Sequence, residues 1–320
     1  MNRNLFSVIA IAIGVLALFF GILVQGKLEK LKSQLNEEFF GVLSRLLKEE
    51  TEEKTIGSPV GYILKFENGV TFYVSGDSGI TAEMETIQKI YNPDVAFLAI
   101  GGGYTMGEEE AAYAATLVKP RKFVVPYHYK SFPMLGSSNE IFQQRVREFK
   151  TAGKLLADPL IFEIDEEKDV LGVKVRWLGH GSFLFISPQG KRLLVDPSES
   201  VPGWPARYRE DITQLGGVDL VLITHAHFDH FHIPTLKKIV AAYQTPILVP
   251  FELAFYAGPK MEAVLIGANM DSSLNAEVLK NLSGVEVNIG TIEIHMVPAN
   301  HSSSVFTLEP LPPVEAPIFK

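Results

Sequence analysis

Apolar positions fall into three regimes along the chain. From Leu5 to Gln25 they run on without a charged residue or a polar stripe. At about 1.5 Å of rise per residue, such a run spans roughly 30 Å of hydrocarbon. It predicts a retained single-pass transmembrane helix within residues 1–26. A cleaved signal peptide would have a shorter apolar run and small residues at a cleavage site, and a core helix would show a polar stripe. Next, Leu28, Leu31, Leu35, Phe39, Leu43 and Leu46 recur every three or four positions. That spacing predicts an amphipathic helix within residues 27–54, packed on the domain or paired with its copy in a coiled coil. From Gly61 onward short β-rich runs alternate with helical patterns, which predicts a layered α/β domain over residues 55–320.

Within that domain the strands share a regularity. VTFYVSG is followed by Asp77, FVVPY by His128, VRWLG by His180, RLLV by Asp196, DLVLIT by His225 and IEIHMVPAN by His301. Strands supply rigidity and the loops beyond them supply reach, so α/β proteins gather their ligand sites at strand ends. Any one of these residues is ordinary in a loop. Together, in a chain with only 8 His, they are not. The densest stretch is His225-Ala-His227-Phe-Asp229-His230. If strand turns into helix there, His225 and His227 point to one side and Asp229 and His230 to another, an arrangement that suits two neighbouring cations.

Composition narrows the donors. The 320 residues include no Cys, so disulfides and thiolate ligands are excluded, and a metal must be held by imidazole and carboxylate. A 47% hydrophobic content is enough for one large domain or two modest ones. The formal net charge of −8 argues against a nucleic-acid partner, because phosphate binding wants a basic face. Arg3 precedes the apolar run while Lys27, Lys30 and Lys32 follow it, so the positive-inside rule leans towards a cytoplasmic catalytic body. Gly101, Gly102, Gly103 and Tyr104 fall between a strand and a helix. Gly102, Gly103 and Tyr104 could there offer N–H groups to an anionic substrate, although a tight turn needs the same glycines.

These residues resemble the metallo-β-lactamase superfamily, whose signature is HxHxDH, and within it the UlaG-like or UPF0173 group of metal-dependent hydrolases. The matching pieces are WLGHGSF (177–183), LLVDP (193–197), LITHAHFDH (222–230), PFELAFY (250–256) and NHSSS (300–304). SGDSG (75–79), YNPDVAFLAIGGGYTMGEEEAA (91–112) and VVPYHYKSFP (124–133) complete the set. The resemblance implies a four-layer αββα sandwich. Family members usually begin with the WLGH strand, whereas here the half with Asp77 and His128 comes first. The chain therefore looks like a circular permutant. Residues 55–165 form the usual carboxyl-terminal half and 171–305 the usual amino-terminal half. They join through the polar link Glu163–Val170 and end in a Pro-rich tail at 306–320. The halves pair within one chain or between chains of a homo-oligomer.

The resemblance also implies roles. His225, His227 and His301 hold one divalent cation, Asp229, His230 and His128 a second, and Asp77 bridges both. Zn²⁺ is the default for hydrolysis, with Mn²⁺ and Fe²⁺ as rivals. Asp196 orients a ligand imidazole through its other ring nitrogen, or is simply a turn residue before Pro197. Asp229 orients the nucleophile or shuttles its proton, and His180 at the mouth steadies an oxyanion or leaving oxygen. The activity expected is metal-assisted hydrolysis of an ester, lactone or phosphodiester through a water activated between the cations. The anchor points to two alternatives, a phosphodiesterase of N-acyl phospholipids and a tethered, non-catalytic binding module on the same fold. His232 and His295 match no family position and are left outside the site.

Overall fold

The computed structural model describes residues 52–132 and 135–307. The predicted anchor Leu5–Gln25, residues 27–51 of the predicted amphipathic helix and residues 308–320 of the tail lie outside the described residues, while 52–54, placed in that helix by the sequence, are strand. Among the described residues, no helix is long and apolar enough to cross a membrane. The chain divides into two units. In one, β1 (Glu52–Thr55) pairs antiparallel with the last described strand, Ser304–Thr307. The other, Ile56–Ser303, holds every predicted site residue.

Within Ile56–Ser303 the chain first makes a hairpin, β2 (Val60–Lys65) and β3 (Thr71–Val74). It then alternates through α1 (Glu83–Tyr91), β4 (Val95–Ala99), α2 (Glu108–Val118), β5 (Phe123–Tyr127), α3 (Asn139–Thr151) and the short β6 (Asp158–Pro159). A meander follows: β7 (Glu167–Val170), β8 (Val173–Gly179), β9 (Ser182–Ile186) and β10 (Arg192–Val195). Alternation resumes with α4 (Ala206–Glu210), β11 (Leu220–Leu222), α5 (Ile233–Tyr243), β12 (Ile247–Pro250), α6 (Phe251–Ala257) and β13 (Leu265–Ala268). The body closes with β14 (Ser273–Leu274), α7 (Ala276–Ser283) and β15 (Glu293–Pro298).

These strands form two mixed sheets of seven, in the orders β14-β15-β2-β3-β4-β5-β6 and β13-β12-β11-β10-β9-β8-β7. Hairpins join β2–β3, β7–β8, β8–β9 and β9–β10, while each parallel neighbour needs a crossover, and α1, α2, α3, α4, α5 and α6 lie in those crossovers. Strands covered on both faces read as unbroken apolar runs, and β4, VAFLA, is buried at all five positions. Helix α2 lies close to that sheet through small side chains, with Ala111, Ala112, Ala114 and Ala115 all buried. Ser138 caps α3 by accepting the Ile141 N–H at 3.5 Å.

Phenylalanines from both sheets meet in the core between them. The Phe72 ring lies 5.8 Å from that of Phe185, and Phe97 lies 5.1 Å from Phe183 and 5.3 Å from Phe185. Each buried Phe contributes about 1.5–3 kcal/mol of hydrophobic stabilisation.

The expected polar link at Glu163–Val170 is only partly a link, because its second half is β7, an edge strand paired with β8. Its charges mark a solvated edge that resists pairing with other chains, which is why it reads as a loop in sequence. The two ends of the body meet: the Ile56 N–H donates to the Ser303 carbonyl at 2.7 Å, and the Ser303 hydroxyl donates to the Ile56 carbonyl at 2.6 Å.

Candidate metal centre

The residues that follow the six strands converge. His225 and His227 leave the end of β11, and their Nε2 and Nδ1 atoms are 2.9 Å apart. His301, beyond β15, brings its Nε2 to 3.2 Å from the same His227 nitrogen. Beside this trio, single donor atoms from His128, His180, Asp229 and His230 lie within 4.8 Å of one another. Asp77, beyond β3, sits between the clusters. Its Oδ2 is 3.0 Å from His128 Nε2, 3.3 Å from His230 Nε2 and 3.7 Å from His301 Nε2.

A second layer fixes the ring orientations. Asp196 is buried after β10 and accepts the Thr224 N–H at 2.8 Å through Oδ1. Its Oδ2 accepts the Thr224 hydroxyl at 2.7 Å and meets His230 Nδ1 at 2.8 Å. A carboxylate only accepts, so the His230 proton sits on Nδ1 and Nε2 is left bare towards Asp77. The Thr224 oxygen, having donated its proton to Asp196, accepts from His225 Nδ1 at 2.9 Å, which bares His225 Nε2 in the same way. Asp196 thus meets the His230 ring directly and the His225 ring through Thr224.

Backbone geometry at the centre is unusual. His128, His180 and Asp196 have φ of 61°, 50° and 44°, the left-handed region that side chains seldom enter. Two glycines make room for rings. A Cβ on Gly181 would stand 2.7 Å from His230 Cε1, and one on Gly101 would stand 2.6 Å from His128 Nδ1.

The donors fit a metal. Asp77 Oδ1, both ring nitrogens of His128 and His230 Nε2 are buried without a hydrogen-bond partner. The 3.0 Å approach of His128 Nε2 to Asp77 is therefore a close contact without hydrogen-bond alignment. Unpartnered buried donors and acceptors are costly unless something neutralises them. Charge makes the same point. Burial opposes ionisation of Asp77 and Asp229, yet neighbouring histidines hold both below the usual carboxylate range. Burial also opposes a charged His230, but Asp77, Asp229 and Asp196 push its pKa well up. Three carboxylates around one buried imidazole leave negative charge for a divalent cation to balance. Burial pushes His225 and His227 down, keeping their rings neutral as ligands must be.

His180 departs from its expected role. Its Nε2 is 2.8 Å from Asp229 Oδ2 and its Nδ1 is 2.5 Å from the Ser131 hydroxyl. Both ring nitrogens are occupied, which leaves none to steady a substrate oxygen. Burial, with His128 beside it, pushes its pKa down to about 4. In the glycine loop, Gly101 N–H donates to Thr105 Oγ1, Gly102 N–H to the Met106 carbonyl and Tyr104 N–H to the Gly102 carbonyl. With φ of 66° and 64°, Gly102 and Gly103 make a tight turn whose N–H groups largely bond inward, so the anion cradle expected of Gly102, Gly103 and Tyr104 is set aside. His232 bonds Thr235 at 2.7 Å, and His295 lies in β15 against the Tyr91 ring; neither joins the clusters. The sequence pattern does not single out Ser131, Thr224 and Gly181, although Thr224 and Gly181 are direct neighbours of His225 and His180.

Two mixed sheets flanked by helices, with His and Asp gathered at the strand ends, define a metallo-β-lactamase fold carrying a cluster able to hold metal. The chain belongs to the family described as beta-lactamase superfamily domain, whose model matches residues 34–128 and 174–309. It is similar to a UPF0173 metal-dependent hydrolase of Caldivirga maquilingensis, 39% identical over 38% of this chain and 50% of that protein. Another, from Thermococcus kodakarensis, is 48% identical over 28% of this chain and 40% of the relative. The chain thus spans half or less of these curated relatives. Among solved structures it is similar to Igni18, a metallo hydrolase from Ignicoccus hospitalis. The two are 41% identical over 31% of this chain and 40% of that one, with a TM-score of 0.27. The metallo-beta-lactamase fold protein YhfI from Bacillus subtilis is 9% identical over 76% of this chain and 98% of that one, with a TM-score of 0.38.

Proposed function

We propose that this chain is a metal-dependent hydrolase acting on an ester, lactone or phosphodiester. The observation that carries the reading is Asp77 Oδ2, buried within 3.7 Å of ring nitrogens from His128, His230 and His301. In this reading His225, His227 and His301 would hold one divalent cation and His128, Asp229 and His230 another, with Asp77 available to either. Zn²⁺ suits these imidazole and carboxylate donors, as do Mn²⁺ and Fe²⁺. When bound, the cations would supply Lewis acidity and an activated water near neutral pH.

The chain's own groups do the rest. Asp229, with 16% of its side chain exposed against 3% for Asp77 and 2% for Asp196, is the carboxylate that water reaches. It takes up the proton of the attacking water on Oδ1, the oxygen His180 does not engage. Phe132 lies edge-on to His180 and to Phe228, with ring centroids at 5.3 and 6.4 Å. Phe228, 48% exposed, completes an apolar lip for the part of the substrate that does not react.

Two features support the permuted reading. The late strand β15 pairs with the early strand β2, and the body enters at Ile56 beside its exit at Ser303. Leu5–Gln25 would tether the body to a membrane, with the body on the cytoplasmic side.

Full-length protein in detergent, assayed on a panel of esters, lactones and phosphodiesters that includes N-acyl phosphatidylethanolamine, tests the scheme. Asp77→Ala and His227→Ala should each abolish turnover and lower bound metal. Wild-type turnover in both variants would refute it.

A further inference from the structure

Both nitrogens of the His180 ring are spoken for, and the order of partners dictates where its proton sits. Asp229 Oδ2, 2.8 Å from Nε2, can only accept, so Nε2 carries the hydrogen. A neutral imidazole then presents a bare Nδ1, and the group facing it at 2.5 Å is the Ser131 hydroxyl, which must donate. Ser131 and His180 are both buried, so water does not compete for either bond.

The His180 main chain is fixed as well. Its carbonyl accepts the Trp177 indole N–H at 3.0 Å and the His128 N–H at 3.2 Å, and its φ of 50° is held by that enclosure. His180 therefore joins the end of β8 to the end of β5, and its ring reaches Asp229, which stands beyond β11.

We propose that Ser131 and His180 form a positioning pair for Asp229. The Ser131 hydroxyl donates to the bare Nδ1 and so fixes the turn of the ring, whose Nε2–H anchors the Asp229 carboxylate at the second cluster. The inference rests on the reading of Asp229 as a working carboxylate of the centre, and it gives a use to a serine that the ligand set leaves out. Without the hydroxyl, the buried Nδ1 loses its donor and the ring loses one of the two bonds that fix its turn, which loosens its hold on the carboxylate.

The test is ¹⁵N NMR of histidine-labelled full-length protein, metal-free and loaded with ¹¹³Cd²⁺. Wild type should show His180 as the Nε2–H tautomer in both forms, with no coupling to cadmium. Ser131→Ala should keep Nε2–H but shift the His180 Nδ1 resonance to that of a nitrogen with no donor, and lower kcat by roughly 10-fold or more with KM unchanged, the usual scale for a group that orients a ligand. Ser131→Thr, which keeps the hydroxyl, should restore both.

An Nδ1–H tautomer in wild type overturns the inference without any variant. So does a Ser131→Ala protein whose His180 Nδ1 resonance is unchanged. Coupling of His180 to cadmium would make the ring a ligand and also overturn it, while the hydrolase reading would survive. Failure to bind cadmium would sink the hydrolase reading, and the metal-free Nδ1 shift would still decide the role of Ser131.

Discussion

The two seven-stranded sheets pair in the same way, strand for strand. From β14 in one and from β7 in the other, three antiparallel pairings are followed by three parallel ones. The correspondence reaches single atoms. Ser75 follows β3 as Asp196 follows β10, and their N–H groups donate to the carbonyls of Phe97 and Leu222 at 3.0 and 2.9 Å. Each side chain then accepts the N–H two residues further along the neighbouring strand, Ala99 at 3.3 Å and Thr224 at 2.8 Å.

There the likeness stops. The Ser75 hydroxyl turns back on the Gly76 carbonyl at 2.6 Å, whereas Asp196 has a second oxygen left for Thr224 and His230. The first sheet sends its own carboxylate to the centre two residues later, as Asp77. One scaffold position thus does structural work in one sheet and sets ligand geometry in the other, and the difference is a single carboxylate.

Substitutions at the paired positions sharpen the contrast. Copying the first sheet into the second with Asp196→Ser should have the largest effect. It leaves the His230 N–H without its acceptor, which costs about 1–3 kcal/mol for a buried group. It should also weaken metal binding by roughly 10–100-fold. Denaturant unfolding and metal titration read the two losses.

Gly181→Ala, which drives a methyl into the His230 ring, should come next, at about 1–3 kcal/mol of overpacking strain with weaker metal binding. The corresponding change in the first sheet, Ser75→Ala, removes neutral bonds to the Ala99 N–H and the Gly76 carbonyl and should cost about 1–3 kcal/mol. Its metal affinity should equal that of wild type. A Ser75→Ala protein that lost metal as readily as Asp196→Ser would erase the distinction between the sheets.

The parts of this arrangement legible in sequence are those that local pattern encodes. An apolar run that ends in His or Asp advertises a strand and its donor together, which is why Asp77, His128, His225, His227, His230 and His301 are found before any coordinates. Ser131 and Thr224 stay hidden because a hydroxyl is at home in any loop, and only the fold shows which ring it meets. The left-handed φ of His128, His180 and Asp196 is likewise imposed by tertiary enclosure rather than residue type. His180 shows the limit most clearly. Its place beside the centre is visible in WLGH, but its role depends on which atoms face its two nitrogens. The edge strand β7 is missed for a different reason, since its charges serve the exposed edge and mask the strand period.

The central claim is that two halves of one chain present donors for a pair of cations around Asp77. X-ray absorption on the zinc-loaded, full-length protein tests it directly. The account predicts imidazole and carboxylate ligation with a metal–metal vector of about 3.5–4 Å. A single zinc per chain with no such vector, or zinc bound without histidine scattering, would contradict it.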